Sequence, residues 1–168
     1  MSDGKDVLVS VVMGSDSDIA VMQEAIDILR EFNVPCEAYL TSAHRAPERT
    51  TAFARSAASR GVQVIIAGAG AAAHLAGVIA SQTILPVIGV PIDATPLGGL
   101  DALLATVQMP GGIPVATMAI GKGGAKNAAL MAIRILSLTN HDLQNQLNAY
   151  IAKMAQDVEK KQEKLASI

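Results

Sequence analysis

The sequence predicts an α/β fold, a parallel sheet with helices on both faces, and two observations carry that reading. Short β-branched or apolar runs alternate five times with helical patterns along the chain, the order expected of successive βα units. The third run, Val62-Gln-Val-Ile-Ile-Ala67, also reads as a buried strand, and five βα units in a row imply helices on both faces of the sheet. At 168 residues the chain has the length of one domain, 1–168, with its core over about 5–138 and a last helix over about 141–165.

The first strand is expected over 7–13, a β-branched run that stops at Gly14. Ser17 or Asp18 then serves as the cap of a helix with Ile19, Met22, Ile26, Leu29 and Phe32 on one face. A strand near 36–40 leads to a helix over about 47–60, where Pro47 suits a first helical turn and Gly61 a position just past the end. The third strand is read at 62–67 and its helix near 73–82. A strand at 86–90 precedes a helix at 100–108, and a strand at 113–118 precedes one over about 124–138. The final helix, 141 to about 164, carries Leu143, Leu147, Ile151, Met154 and Val158 as a stripe and ends in the charged run EKKQEK. The stripe is expected to pack on the domain or on a sister subunit, with the charges in water.

Composition excludes several classes of function. The net charge is -2 with scattered cations, so no basic face for nucleic acid is expected. The apolar stretch 64–80 is broken by three glycines and His74, which rules it out as a membrane span, and no signal peptide is read at the start. A cytoplasmic location is expected. The single cysteine, Cys36, is read as an inert, buried thiol. Aromatic residues are only 2% of the chain, so burial depends on close approach of Ala- and Gly-rich backbone, and self-association would add to it.

In an open α/β sheet, ligands bind beyond the carboxyl ends of the strands, which directs attention to the loops there. Gly14-Ser-Asp-Ser-Asp18 offers the hydroxyls of Ser15 and Ser17, two carboxylates and free N–H groups at a helix start, suited to a sugar phosphate or to an ordinary cap. The second loop, TSAHRAPE over 41–48, sets Ser42 and an imidazole, His44, beside a guanidinium, Arg45. The imidazole can move a proton near neutral pH and the guanidinium can grip a phosphate or carboxylate. The third loop, AGAGAAAH over 67–74, lacks the dinucleotide spacing but presents bare backbone at Gly68 and Gly70 for a flat ring, with His74 one turn into the next helix as either a structural or a site residue. The loop 91–99 and the turn 109–112 read as cover or rim. His and Cys residues show no ligand-like spacing, so no metal site is expected, and there is no P-loop lysine.

Taken together, GSDSD at 14–18, SAHRAPE at 42–48, AGAGAAAHLAG at 67–77, GVP at 89–91 and QMPGGIPV at 108–115 resemble the bacterial 5-(carboxyamino)imidazole ribonucleotide mutase family of purine biosynthesis, over nearly the whole chain. The resemblance implies a flavodoxin-like three-layer sandwich, a homo-octamer, and no metal or organic cofactor. It implies transfer of a carboxylate from the exocyclic nitrogen of an aminoimidazole ribonucleotide to a ring carbon. By motif position it makes His44 the proton-transfer residue and Ser15, Asp18 and Arg45 substrate-binding, with Ser17, Ser42, Gly70 and His74 as further candidates for contact. A sister branch, the aminoimidazole ribonucleotide carboxylase, uses free carbon dioxide and tends toward HK at positions 44–45 and a polar RSN in the third loop. The HR and AGAAAH of this chain favour the mutase. Ala76 stands where HLPG usually has Pro, and Gln82 where Lys is common. A flavin carrier or a phosphoacceptor module is disfavoured, because no aromatic residue falls on these loops and no Asp follows the third strand.

Overall fold

The computed structural model describes residues 7–166, so residues 1–6 and 167–168 of the expected span, including the expected start of the core at 5, lie outside the described residues. Its strands are β1 (Val9–Met13), β2 (Cys36–Leu40), β3 (Val64–Gly70), β4 (Val87–Ile92) and β5 (Ala116–Thr117), all parallel, in the order β2-β1-β3-β4-β5. The helices are α1 (Ile19–Glu31), α2 (Pro47–Ala57), α3 (Leu75–Ala80), α4 (Leu100–Val107), α5 (Lys122–Ser137) and α6 (His141–Ala166). The flavodoxin-like order and the long last helix agree with expectation.

Side-chain alternation along each strand divides the core into two layers. Val9, Val11, Met13, Val64, Ile66, Ile88 and Val90 pack toward α1 and α5, whereas Val12, Ile65, Ala67 and Val87 pack toward α2 and α3. On the first side α5 buries Ala125, Ala128, Ala129 and Ala132, and these small residues let it lie close to α1 and the sheet. This is how a chain with so few aromatics reaches a dense interior. Two aromatic pairs, Tyr39 stacked on Phe53 at 4.4 Å and Phe32 tilted against Tyr150 at 5.5 Å, add to the packing.

Several boundaries move, each for a visible reason. The strand read at 62–67 is shifted to Val64–Gly70, because Gly68 and Gly70 continue the ladder with Met13 and Ile92 instead of leaving it. The missing Cβ at Gly68 makes room for the Met22 side chain, and at Gly70 an added Cβ would meet the Ala94 Cβ at 2.5 Å. The strand read at 113–118 is reduced to two residues. Pro114 has no N–H to pair, and the Ile113 N–H is taken up by the Pro110 carbonyl in the preceding turn. The third helix is short, 75–80, and the second ends at 57 before a 3-10 turn over 58–60 that Gly61 closes at φ 91. Pro47 does open α2.

In α6, Leu143 and Leu147 are buried, but Ile151 and Met154 are each 46% exposed and Val158 67%. Its first turns therefore pack on the chain as expected, and the rest of the stripe is left uncovered within one chain. Cys36 is half-buried, and burial pushes its thiol up from the ordinary value, in keeping with an unreactive side chain.

Candidate active site

The strand order reverses between β1 and β3, since β1 is followed by a neighbour on one side and β3 lies on the other. Connections leaving such a point diverge and open a crevice. A cavity of about 460 Å³ lies there, walled by Ser15, Ser17 and Asp18 from the first loop, Ser42, His44 and Arg45 from the second, and Gly70 to Ala72 at the end of β3. Seven of the eight residues expected from the sequence line this one cavity. The eighth, His74, sits at its side against His44.

The first loop owes its shape to a capping box. Ser15 caps the 3-10 turn over 16–18: its hydroxyl accepts the Ser17 N–H at 3.4 Å while the Asp18 carboxylate accepts the Ser15 N–H at 2.9 Å, and Asp18 then stands at the N-cap position of α1 without a side-chain cap bond there. Asp18 is only 4% exposed. Burial raises its pKa above the ordinary carboxyl value against the lowering effect of the Ser15 and Gly14 N–H groups and the Ser17 hydroxyl. The folded protein thus holds this proton more tightly than the unfolded chain does. Its contribution to stability is present below the ordinary Asp range and is lost as pH rises through the raised value. Asp18→Asn, whose amide oxygen can still accept the Ser15 N–H, is expected to match or exceed the wild-type thermal midpoint at pH 7 and to lose that pH dependence. A destabilisation beyond about 1–3 kcal/mol, the cost of an unmet buried donor, would show that the charge itself holds the loop.

The second loop is held from beneath. The Ala46 N–H reaches the Ser42 carbonyl at 2.9 Å, and the buried hydroxyls of Thr41 and Thr50 share a hydrogen bond of 2.9 Å. Arg45 donates from its backbone N–H to Ser42 Oγ at 3.2 Å and from Nη2 to the Gly14 carbonyl at 3.4 Å, so its guanidinium bridges the first two loops. A second cavity of about 400 Å³ continues on the far side of Arg45 and is lined also by Arg49. His44 Nε2 and His74 Nδ1 lie 2.9 Å apart, with the rings edge to face. His74 is the residue before α3, not one turn into it.

The third wall is bare backbone, as read, but it belongs to the strand end and to a strained turn. Ala71 has φ 52, a left-handed conformation that costs a residue with a Cβ about 1–2 kcal/mol. The loop 91–99 supplies Ala94 to the rim. The turn 109–112 does not line the cavity, contrary to expectation, because Met109 lies over Gly77 of α3. Ala76 is buried in the core and Gln82 accepts from Arg55 Nε at 3.1 Å, so neither departure from the expected motif touches the cavity wall. The supporting threonines, Arg49 and Ala94 were missed as site elements. Thr41 and Thr50 flank the HRAP stretch closely enough to have been noticed, whereas the approach of Ala94 depends on tertiary packing.

An α/β protein with the 2-1-3-4-5 strand order and a polar cavity at its switch point is the class that fold and site define. The family described as AIR carboxylase matches residues 8–157, and the chain belongs to that family. It is 56% identical over 158 residues to the N5-carboxyaminoimidazole ribonucleotide mutase of Pyrococcus horikoshii, covering 94% of this chain and 88% of that one. The mutase of the same description from Bacillus subtilis is 55% identical over 141 residues, or 84% of this chain and 87% of its own. Among solved structures, Treponema denticola PurE superposes with a TM-score of 0.85 at 27% identity, covering 94% of this chain and 98% of that one.

Proposed function

We propose that this protein is an isomerase of purine biosynthesis that converts 5-(carboxyamino)imidazole ribonucleotide to 4-carboxy-5-aminoimidazole ribonucleotide. The observation that carries the reading is the meeting of His44 and Arg45 with Ser15 and Asp18 across one cavity, in a chain about half identical to proteins named for that reaction. Arg45 is the grip for the substrate phosphate, a bidentate donor that stays charged at all working pH values. Asp18 accepts hydrogen bonds from ribose hydroxyls. Ser15, Ser17 and Ser42 supply hydroxyls around them, and Gly70 lets the flat imidazole approach the main chain.

The chemistry is an intramolecular carboxylate transfer. The exocyclic N–C bond of the carbamate breaks, His44 delivers a proton to that nitrogen, and carbon dioxide is released into the cavity. The ring carbon C4 attacks it, forming the new C–C bond, and the C4 hydrogen then returns to His44. The imidazole gives one proton and regains one, so it ends the cycle unchanged. The small side chains of Ala71 and Ala72 favour retention of the gas by leaving no polar groups to draw water in.

The test supplies the carboxyamino substrate to purified protein without ATP, then supplies aminoimidazole ribonucleotide with bicarbonate. Conversion of the first and slow reaction of the second is the expected result. Fast carboxylation at low bicarbonate favours the sister reaction with free carbon dioxide, and no conversion by folded protein removes the reading altogether. The assembly is a homo-octamer in this reading. Uncovered apolar side chains support association, with Ile84 99%, Leu97 64% and Leu100 53% exposed. No helix among the described residues is long and apolar enough to cross a membrane, and a cytoplasmic location suits a nucleotide-precursor substrate.

A further inference from the structure

The sequence shows no metal-ligand spacing because its two relevant histidines are 30 residues apart. The fold nevertheless brings His44 Nε2 and His74 Nδ1 to 2.9 Å, with ring centroids 5.0 Å apart and both side chains exposed. From this convergence we infer that the pair is a two-nitrogen chelate for a divalent transition ion, and that an ion held there inhibits the enzyme. Metal–imidazole bonds of about 2.0–2.1 Å at N–metal–N angles from about 90° to 109° separate the two nitrogens by about 2.9–3.3 Å. The observed spacing lies at the short end of that range, and each exposed ring must turn by about 35–45° to bring its lone pair from the facing nitrogen onto a shared ion.

In the free pair one facing nitrogen carries the shared hydrogen and the other accepts it. Metal binding needs both facing nitrogens bare. The shared hydrogen leaves to solvent, and the outward nitrogen of the same ring takes one up, so both imidazoles remain neutral ligands. Nearby charges permit this. The Arg45 guanidinium is turned toward Ser42 Oγ and the Gly14 carbonyl, while the Asp18 carboxylate faces the same cavity. Water fills the remaining positions. Imidazole selects zinc, nickel or copper over magnesium.

The inhibitory consequence rests on the mutase reading, since the ion occupies a nitrogen of the proposed proton carrier; the binding itself does not. The experiment titrates full-length, metal-free protein with Zn²⁺ by calorimetry, with Mg²⁺ as comparison. One Zn²⁺ per chain is expected for the wild type and for His141→Asn, which removes the remaining histidine of the chain. Affinity is expected to fall at least about tenfold in both His44→Asn and His74→Gln, since removing even an outer-shell partner of a metal ligand typically costs about 10–100-fold. Turnover of the wild type should fall in step with Zn²⁺ occupancy and return with a chelator. Binding retained in His74→Gln, lost in His141→Asn, matched by Mg²⁺, or without effect on an active enzyme would overturn the inference. Wild type that binds Zn²⁺ as described but never converts the substrate would leave the chelate standing and remove the mutase reading instead.

Discussion

His44→Asn is expected to lower turnover of the carboxyamino substrate by about 10²–10⁴-fold, the contribution typical of a positioned general acid or base, while the thermal midpoint and assembly stay at wild-type values. The structural half of that expectation follows from exposure. His44 stands on the surface of the cavity, and its one side-chain hydrogen bond is to His74, so its loss leaves no buried group unpaired. Asn can still donate and accept a hydrogen bond but cannot carry a proton between nitrogen and carbon. A steady-state comparison should therefore show the loss in kcat with KM little changed. Retained turnover would move the proton role elsewhere, with His74 the next residue to test.

The largest expected effect on stability lies outside the site, at Gly124→Ala. Gly124 is in the first turn of α5, where a Cβ would run into the Ala119 carbonyl. The obstacle is backbone, which cannot rotate aside as the Met22 side chain can at Gly68. The cost is expected at or beyond the upper end of the about 1–3 kcal/mol usual for overpacking. Gly123→Ala is the matched control, since a Cβ there would meet nothing within 4 Å. That change should be neutral or stabilising by up to about 1 kcal/mol through helix propensity. Urea midpoints compared at equal protein concentration separate the two, and similar midpoints would contradict the packing argument.

The same glycine illustrates what was and was not legible. Nothing in the run GKGGAK after the last strand marks one glycine above the others, yet Gly124 is required because α5 packs on the Ala119 carbonyl. The central strands β1, β3 and β4 were legible as apolar runs because burial on both faces leaves little room for polar residues. Their ends were not. Gly68 and Gly70 look like loop residues in sequence but are strand residues, since the demand on them comes from Met22 and Ala94, distant in the chain. The short β5 was partly foreseeable from Pro114. For the site, His44, Arg45, Ser15 and Asp18 stood out because each follows a predicted strand end, where topology rather than local propensity places ligands. The pairing of His44 with His74 depends on three-dimensional approach, which no spacing rule encodes, whereas the Ser15-x-x-Asp18 capping box was readable from its spacing.

The central claim is that the carboxylate migrates within one cavity, carried by a single proton carrier at His44. Its most direct test converts unlabelled carboxyamino substrate in buffer containing ¹³C-bicarbonate and reads the new carboxyl carbon by NMR or mass spectrometry. Product bearing the substrate's own unlabelled carbon, formed by wild type and not by His44→Asn, is the result predicted. Product labelled from the buffer, or equal turnover by His44→Asn, would contradict it.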